Sequence, residues 1–215
     1  MIEIVGVGPG ASDYLTEGAM RIIKNSRVVI GGERILDELE IPRDVRIEMP
    51  DLITESVIEI LEREEPKGGV TLVVSGDPGF YSLARRVVSH FGRESVSIMP
   101  GISVIQIMAA RLCRSWTGVA TATLHGRNRP DISELVLKLE GSPGLVVLFG
   151  LPREVRSDIE WMTARSELAL ARAAVGWDLG LPGERIIESG SLEELRGCQY
   201  TGRLCLLWLE KNQPE

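Results

Sequence analysis

Ser75-Gly76-Asp77-Pro78-Gly79 follows directly on the apolar run Leu72-Val73-Val74, and a helical pattern from Tyr81 to Phe91 begins just behind it. A strand that ends in two glycines, a proline and a carboxylate exposes backbone and one charge where parallel sheets take their ligands. Gly76 and Gly79 permit close approaches that a Cβ would block. Asp77 offers an acceptor-only group to a cation, an ammonium or a hydroxyl. It would equally serve as the cap of the helix that follows.

Three further glycine-marked loops stand at strand ends. The first is Gly6-Val7-Gly8-Pro9-Gly10-Ala11-Ser12-Asp13. A dinucleotide fold needs G-x-G-x-x-G in a tight turn with the pyrophosphate on a helix N-terminus. Here the spacing is Gly6-x-Gly8-x-Gly10, Pro9 brings no N–H, and the helical pattern starts only near Thr16. That disfavours a nicotinamide dinucleotide, with Glu33 standing as the one acid that could meet a ribose. A loop shaping a wide cleft for another ligand fits better. In Met99-Pro100-Gly101-Ile102-Ser103, Ser103 is a sensible N-cap, or with Ile102 brackets a flat ring. Leu124-His125-Gly126-Arg127-Asn128-Arg129-Pro130 gathers a histidine and two arginines, which suit carboxylate partners, although a solvated basic loop is the plain alternative. There is no G-x-x-x-x-G-K-[ST] and no G-x-S-x-G, and Met20, Met99, Met108 and Met162 read as core filler.

The elements that must position these loops alternate. Expected strands are Ile2–Val7, Arg27–Ile30, Val45–Glu48, Val70–Val74 and Ser95–Ile98. Expected helices are Thr16–Asn25, Glu33–Leu39, Leu52–Arg63, Tyr81–Phe91 and Ser103–Cys113. Strict alternation implies a mostly parallel sheet covered on both faces. The pattern breaks around Arg114-Ser115-Trp116-Thr117-Gly118. A second series then runs through Val119–Leu124, Asp131–Leu139, Gly144–Leu148, Arg153–Met162 and Leu168–Val175, closing on Arg185–Glu188, Leu192–Leu195 and Leu204–Leu209. The short final connections predict an antiparallel finish. The expectation is an α/β protein of two domains, 1–114 with a mostly parallel sheet and 115–215 with a mixed one.

Composition bounds the function. The 215 residues carry a net charge of -7, which argues against a nucleic-acid binder. The three cysteines, Cys113, Cys198 and Cys205, show no C-x-x-C spacing and fit a reducing cytoplasm. With two histidines a His-rich metal site is excluded, and no metal is expected. No apolar run approaches the ~20 residues of a membrane span, and the opening Met1-Ile2-Glu3-Ile4-Val5 reads as strand rather than signal peptide.

Taken together and in order, Gly6-Val7-Gly8-Pro9-Gly10, Ser75-Gly76-Asp77-Pro78-Gly79 and Pro100-Gly101-Ile102-Ser103 resemble the tetrapyrrole (corrin/porphyrin) methylases over essentially the whole chain. Gly79-Phe80-Tyr81-Ser82-Leu83-Ala84-Arg85-Arg86 and Leu124-His125-Gly126-Arg127 are most similar to the members that methylate carbon 5 of a cobalt-precorrin in cobalamin (vitamin B12) biosynthesis. The resemblance implies two α/β domains with S-adenosylmethionine in the cleft between them, and a homodimer. It assigns the cofactor to Pro9, Gly76, Asp77, Gly79, Phe80, Ile102, Ser103, Leu151, Ala174, Val175 and Gly202. The macrocycle falls to Gly8, Gly10, Arg85, His125, Arg127 and Arg129, with His125 as the group that orients substrate or collects a proton. Another regiochemistry within the family, or a non-catalytic corrinoid-binding subunit, stays open. In some organisms the carbon-5 enzyme is fused to a decarboxylating carbon-15 methyltransferase; nothing follows Glu215, so that activity is expected from a separate partner.

Overall fold

The computed structural model describes residues 1–10, 12–49, 54–124, 129–150, 152–203 and 205–211. Its contacts divide into two units, Met1–Ser103 and Val104–Glu215.

The first unit runs β1 (Ile2–Gly6), α1 (Glu17–Lys24), β2 (Val28–Gly31), α2 (Glu33–Glu38), β3 (Arg46–Glu48), α3 (Thr54–Glu64), β4 (Val70–Val74), α4 (Ala84–Phe91) and β5 (Val96–Met99). The strands form one all-parallel sheet in the order β3-β2-β4-β1-β5. Alternate residues divide between its faces. Val5, Val7, Val29 and Val73 pack with Ala19, Ile23, Ile35 and Leu36 of α1 and α2. Ile2, Ile4, Leu72 and Val74 pack with Val57, Leu61, Ala84 and Val87 of α3 and α4. Adjacent strands β1 and β4 therefore feed helices on opposite faces, and the chain parts above their carboxyl ends. In parallel sheets that divergence opens the crevice where ligands sit.

Local chemistry sets the helix limits. The Thr16 hydroxyl accepts from the Ala19 amide at 3.1 Å and starts α1. The helix expected from Tyr81 starts instead at Ala84, because Tyr81 adopts a left-handed φ of 49° that no helix can include. At the far end of α3, buried Glu64 accepts from Lys67 Nζ at 3.0 Å and from Arg63 Nε and Arg27 Nη2 at 3.1 Å. The Lys67 and Arg63 hydrogen bonds lead in holding its carboxyl at about 2, below the usual 4.5. A depressed carboxylate stabilises the fold above its unfolded value and loses that effect as pH falls through the native one. The stability advantage of the wild type over Glu64→Gln should thus shrink below pH 4.5 and vanish near pH 2, as read by thermal unfolding across that range.

The second unit runs α5 (Val104–Arg111), β6 (Ala120–Thr123), α6 (Ile132–Glu140), β7 (Gly144–Leu148), α7 (Val155–Met162), α8 (Ser166–Ala169), β8 (Arg172–Trp177), β9 (Arg185–Ser189) and β10 (Leu206–Glu210). Its sheet has the order β6-β7-β10-β8-β9 and is mixed as expected, with only β6 and β7 parallel. Three points go beyond what the sequence pattern specified. The finish is antiparallel as expected, with β10 inserted between β7 and β8. The apolar stretch Leu168–Val175 splits into α8 and β8, since a short buried run fits either structure by periodicity alone. And α5 lies within the second unit. A Cβ at Gly176 would meet Met108 Sδ at 2.9 Å, and Arg111 and Arg114 reach Glu184 at 2.5 Å and Glu188 at 2.8 Å. Among the described residues no helix is long and apolar enough to cross a membrane.

Candidate active site

β4, β1 and β5 lie side by side and point the same way, so the loops after them converge. The Val7 amide donates to the Val74 carbonyl at 3.0 Å. Gly8 and Gly76 then exchange both backbone hydrogen bonds, at 3.3 and 2.7 Å, as an isolated antiparallel bridge. Both glycines have positive φ, 71° and 66°, which a side chain would strain. The third loop closes on this pair. A Cβ on Gly6 would lie 2.6 Å from Pro78 Cδ and 2.7 Å from both the Gly101 amide nitrogen and the Gly76 oxygen. A Cβ on Gly101 would overlap the Gly76 oxygen and stand 2.7 Å from the Gly6 carbonyl. Three loops thus meet backbone on backbone, with no room for any side chain at Gly6 or Gly101.

Asp77 ties this junction together. One carboxylate oxygen accepts from the Gly79 amide at 2.8 Å and the other from the Gly101 amide at 3.1 Å. It does not cap α4: Ser82 Oγ, not Asp77, accepts from the Ala84 amide, at 3.3 Å. The Phe80 amide turns back onto the Asp77 carbonyl at 3.0 Å, and its ring meets the exposed Tyr81 edge-on at 4.8 Å. Strained backbone of the Tyr81 kind collects at ligand sites. Pro9 and Ser103 are buried and Ile102 is half-buried, so the loops show backbone and apolar surface more than charge. A Cβ on Gly76 would meet only Ser103 Cα, at 3.8 Å, so this glycine answers to its φ rather than to crowding. The 3₁₀ turn Ser12–Tyr14 separates Gly10 from α1, which leaves no helix N-terminus to hold a diphosphate.

The remaining expected residues lie in the second unit or outside the description. Ala174 and Val175 are fully buried in β8, paired with Trp208 and Leu207 of β10. Gly202 is buried too, and a Cβ there would overlap Trp177 and Asp178. Asp178, at a φ of 50°, latches the neighbouring turn: its amide donates to the Arg203 carbonyl at 2.6 Å and its carboxylate accepts from the Arg203 amide at 2.7 Å. The adjoining Thr201 lines a cleft of about 650 Å³ with Trp177, Arg185 and Gln199. Arg129 already has a carboxylate partner within its own unit, buried Asp158, and stacks 4.2 Å above the Trp161 ring. Burial raises the Asp158 carboxyl while Arg129 opposes that shift. Arg85 is exposed on α4 and makes no ion pair among the described residues. His125, Arg127 and Leu151 lie outside the described residues. Among the described residues no group of three or more histidines, cysteines or carboxylates is placed to hold a metal.

The profile of the Tetrapyrrole (Corrin/Porphyrin) Methylases matches residues 1–196. The chain belongs to the tetrapyrrole methylases. As a member it is a methyltransferase that takes its methyl group from S-adenosylmethionine. Among curated relatives it is 30% identical over 213 residues to the probable cobalt-precorrin-7 C(5)-methyltransferase of Methanocaldococcus jannaschii, covering 94% of this chain and 98% of that one. The fold is that of the precorrin-6Y methylase of cobalamin biosynthesis from Archaeoglobus fulgidus, with a TM-score of 0.75, 24% identity and 99% of each chain covered. It is also that of the Thermus thermophilus uroporphyrin-III C-methyltransferase complexed with S-adenosylhomocysteine, with a TM-score of 0.73, 22% identity and 97% and 91% of the two chains covered.

Proposed function

We propose that this tetrapyrrole methylase transfers a methyl group to carbon 5 of cobalt-precorrin-7, or of the matching cobalt-free precorrin, in cobalamin biosynthesis. The observation that carries the reading is the near full-length likeness to a carbon-5 methyltransferase, joined to a three-loop junction built from the same chain. Bound at that junction, S-adenosylmethionine supplies an electrophilic methyl group on a positively charged sulfur.

The protein's own part is mainly positioning. Gly76, Asp77, Gly79 and Phe80 hold the methionine end, with Pro9, Ile102 and Ser103 beside it. Leu151, Ala174, Val175 and Gly202 are assigned to the adenosine, Ala174 and Val175 from within the buried strand β8. Gly8 and Gly10 border the macrocycle, Arg85 and Arg127 meet its acetate and propionate arms, and His125 orients it or collects a proton. Arg129, paired with Asp158 and stacked on Trp161, belongs to the same substrate set. Holding the reacting atoms about 3–3.5 Å apart supplies on the order of 7–11 kcal/mol without a nucleophile from the protein. That accounts for a site with few charged groups. The proposal includes a cytoplasmic homodimer and a separate carbon-15 methyltransferase partner.

Titration calorimetry with S-adenosylhomocysteine and with NAD tests the donor half of this reading. Saturable binding of S-adenosylhomocysteine alone is the expected result. Binding of NAD alone would replace the reading with a dinucleotide enzyme.

A further inference from the structure

Gly10, at the outer end of the first loop, leans on a charged pair that the sequence patterns did not single out. Arg34 and Glu38 stand one turn apart on α2, and Arg34 Nη1 donates to both Glu38 oxygens, at 2.7 and 2.6 Å. A Cβ on Gly10 would overlap Glu38 Oε2 and lie 3.0 Å from Arg34 Nη1, and Gly10 itself has a φ of 121°. The pair is therefore in contact with the loop backbone rather than free on a helix surface. It is also accessible, the two side chains being 31% and 29% exposed. Only Nη1 of the guanidinium is engaged; among the described residues Nε and Nη2 have no partner. That leaves one edge of the fork open, and two parallel N–H donors on such an edge match a carboxylate.

We propose that Arg34 is a substrate-anchoring, specificity-determining residue whose open Nε–Nη2 edge receives an acetate or propionate carboxylate of the macrocycle, while Glu38 holds the fork against the first loop. This deepens the methylase reading and rests on it. Glu38 also places a negative charge near the incoming carboxylate, so the two members of the pair have opposite effects on a polyanionic ligand. A pair that served only to brace the loop would lose function in the same direction whichever member was changed.

The test uses the full chain and uroporphyrin I as the polycarboxylate probe, followed by its fluorescence, with S-adenosylhomocysteine affinity and thermal unfolding measured alongside. Arg34→Gln should weaken uroporphyrin binding by about tenfold or more, the scale of one charge-assisted bidentate contact, and leave S-adenosylhomocysteine affinity as it was. Glu38→Gln, which keeps an oxygen to accept from Arg34 Nη1 and loses only the negative charge, should bind uroporphyrin at least as tightly as the wild type. Unchanged uroporphyrin affinity in Arg34→Gln, or equal weakening in both variants, would overturn the assignment. So would a wild type that binds S-adenosylhomocysteine but not uroporphyrin. A wild type that binds neither points instead to failure of the methylase reading itself.

Discussion

Replacing Gly101 with alanine is expected to abolish measurable S-adenosylhomocysteine binding and to cost the first unit about 3 kcal/mol of stability, the upper range for forcing atoms into a packed site. The new Cβ would overlap the Gly76 carbonyl oxygen and press on the Gly6 carbonyl, and both obstacles are backbone. A side chain can rotate out of the way, but these peptides are fixed. Gly6 sits in register with Val74 in the parallel ladder, and Gly76 is tied to Gly8 by two hydrogen bonds. The third loop must therefore lift, and with it go Ile102 and Ser103. Gly197→Ala, where a Cβ would meet nothing within 4 Å, serves as the control and should be neutral in both measurements. Calorimetric affinity at the wild-type level in Gly101→Ala would show that the junction does not shape the donor site.

Asp77→Ala should weaken S-adenosylhomocysteine binding by roughly 10–100-fold while leaving the thermal midpoint much less changed. Its two oxygens hold the Gly79 and Gly101 amides, so removing them frees one loop from the other. Each charge-assisted hydrogen bond contributes roughly 1.5–3 kcal/mol, and water recovers part of that at a half-buried carboxylate. Because the junction of Gly6, Gly76 and Gly101 remains packed, the fold survives while the loops lose their fixed spacing. Asp77→Asn keeps one acceptor and should fall between the two. Native affinity in Asp77→Ala would remove Asp77 from any part in holding the donor.

Much of the three-loop junction was legible in the chain because glycine and proline punctuate it. β-branched runs that stop at Gly6, at Ser75-Gly76 and at Pro100-Gly101 mark strand ends, and strict strand–helix alternation places those ends on one edge of a parallel sheet. The spacing of the first loop also ruled against a dinucleotide turn, in agreement with the late start of α1. Pattern could not reveal why each glycine is there. Gly8 and Gly76 answer to positive φ and a shared bridge, whereas Gly6 and Gly101 answer to contact across strands far apart in sequence. The roles of Asp77 and Arg129 were hidden for the same reason. Their partners, the Gly101 amide and Asp158, are set by the tertiary fold. Arg34 and Glu38 looked like an ordinary i,i+4 helix pair, and only the approach of Gly10 distinguishes them. In the second unit, insertion of β10 between β7 and β8 is a long-range pairing with no local mark in its own five residues.

The most direct test of methyl transfer to a corrinoid carbon is product analysis after incubation of the chain with cobalt-precorrin-7 and S-adenosylmethionine labelled with carbon-13 in its methyl group. The account predicts a product heavier by one labelled methyl group, its carbon-13 signal at carbon 5 of the macrocycle. A recovered substrate carrying no label, or a label at another ring carbon, would contradict it.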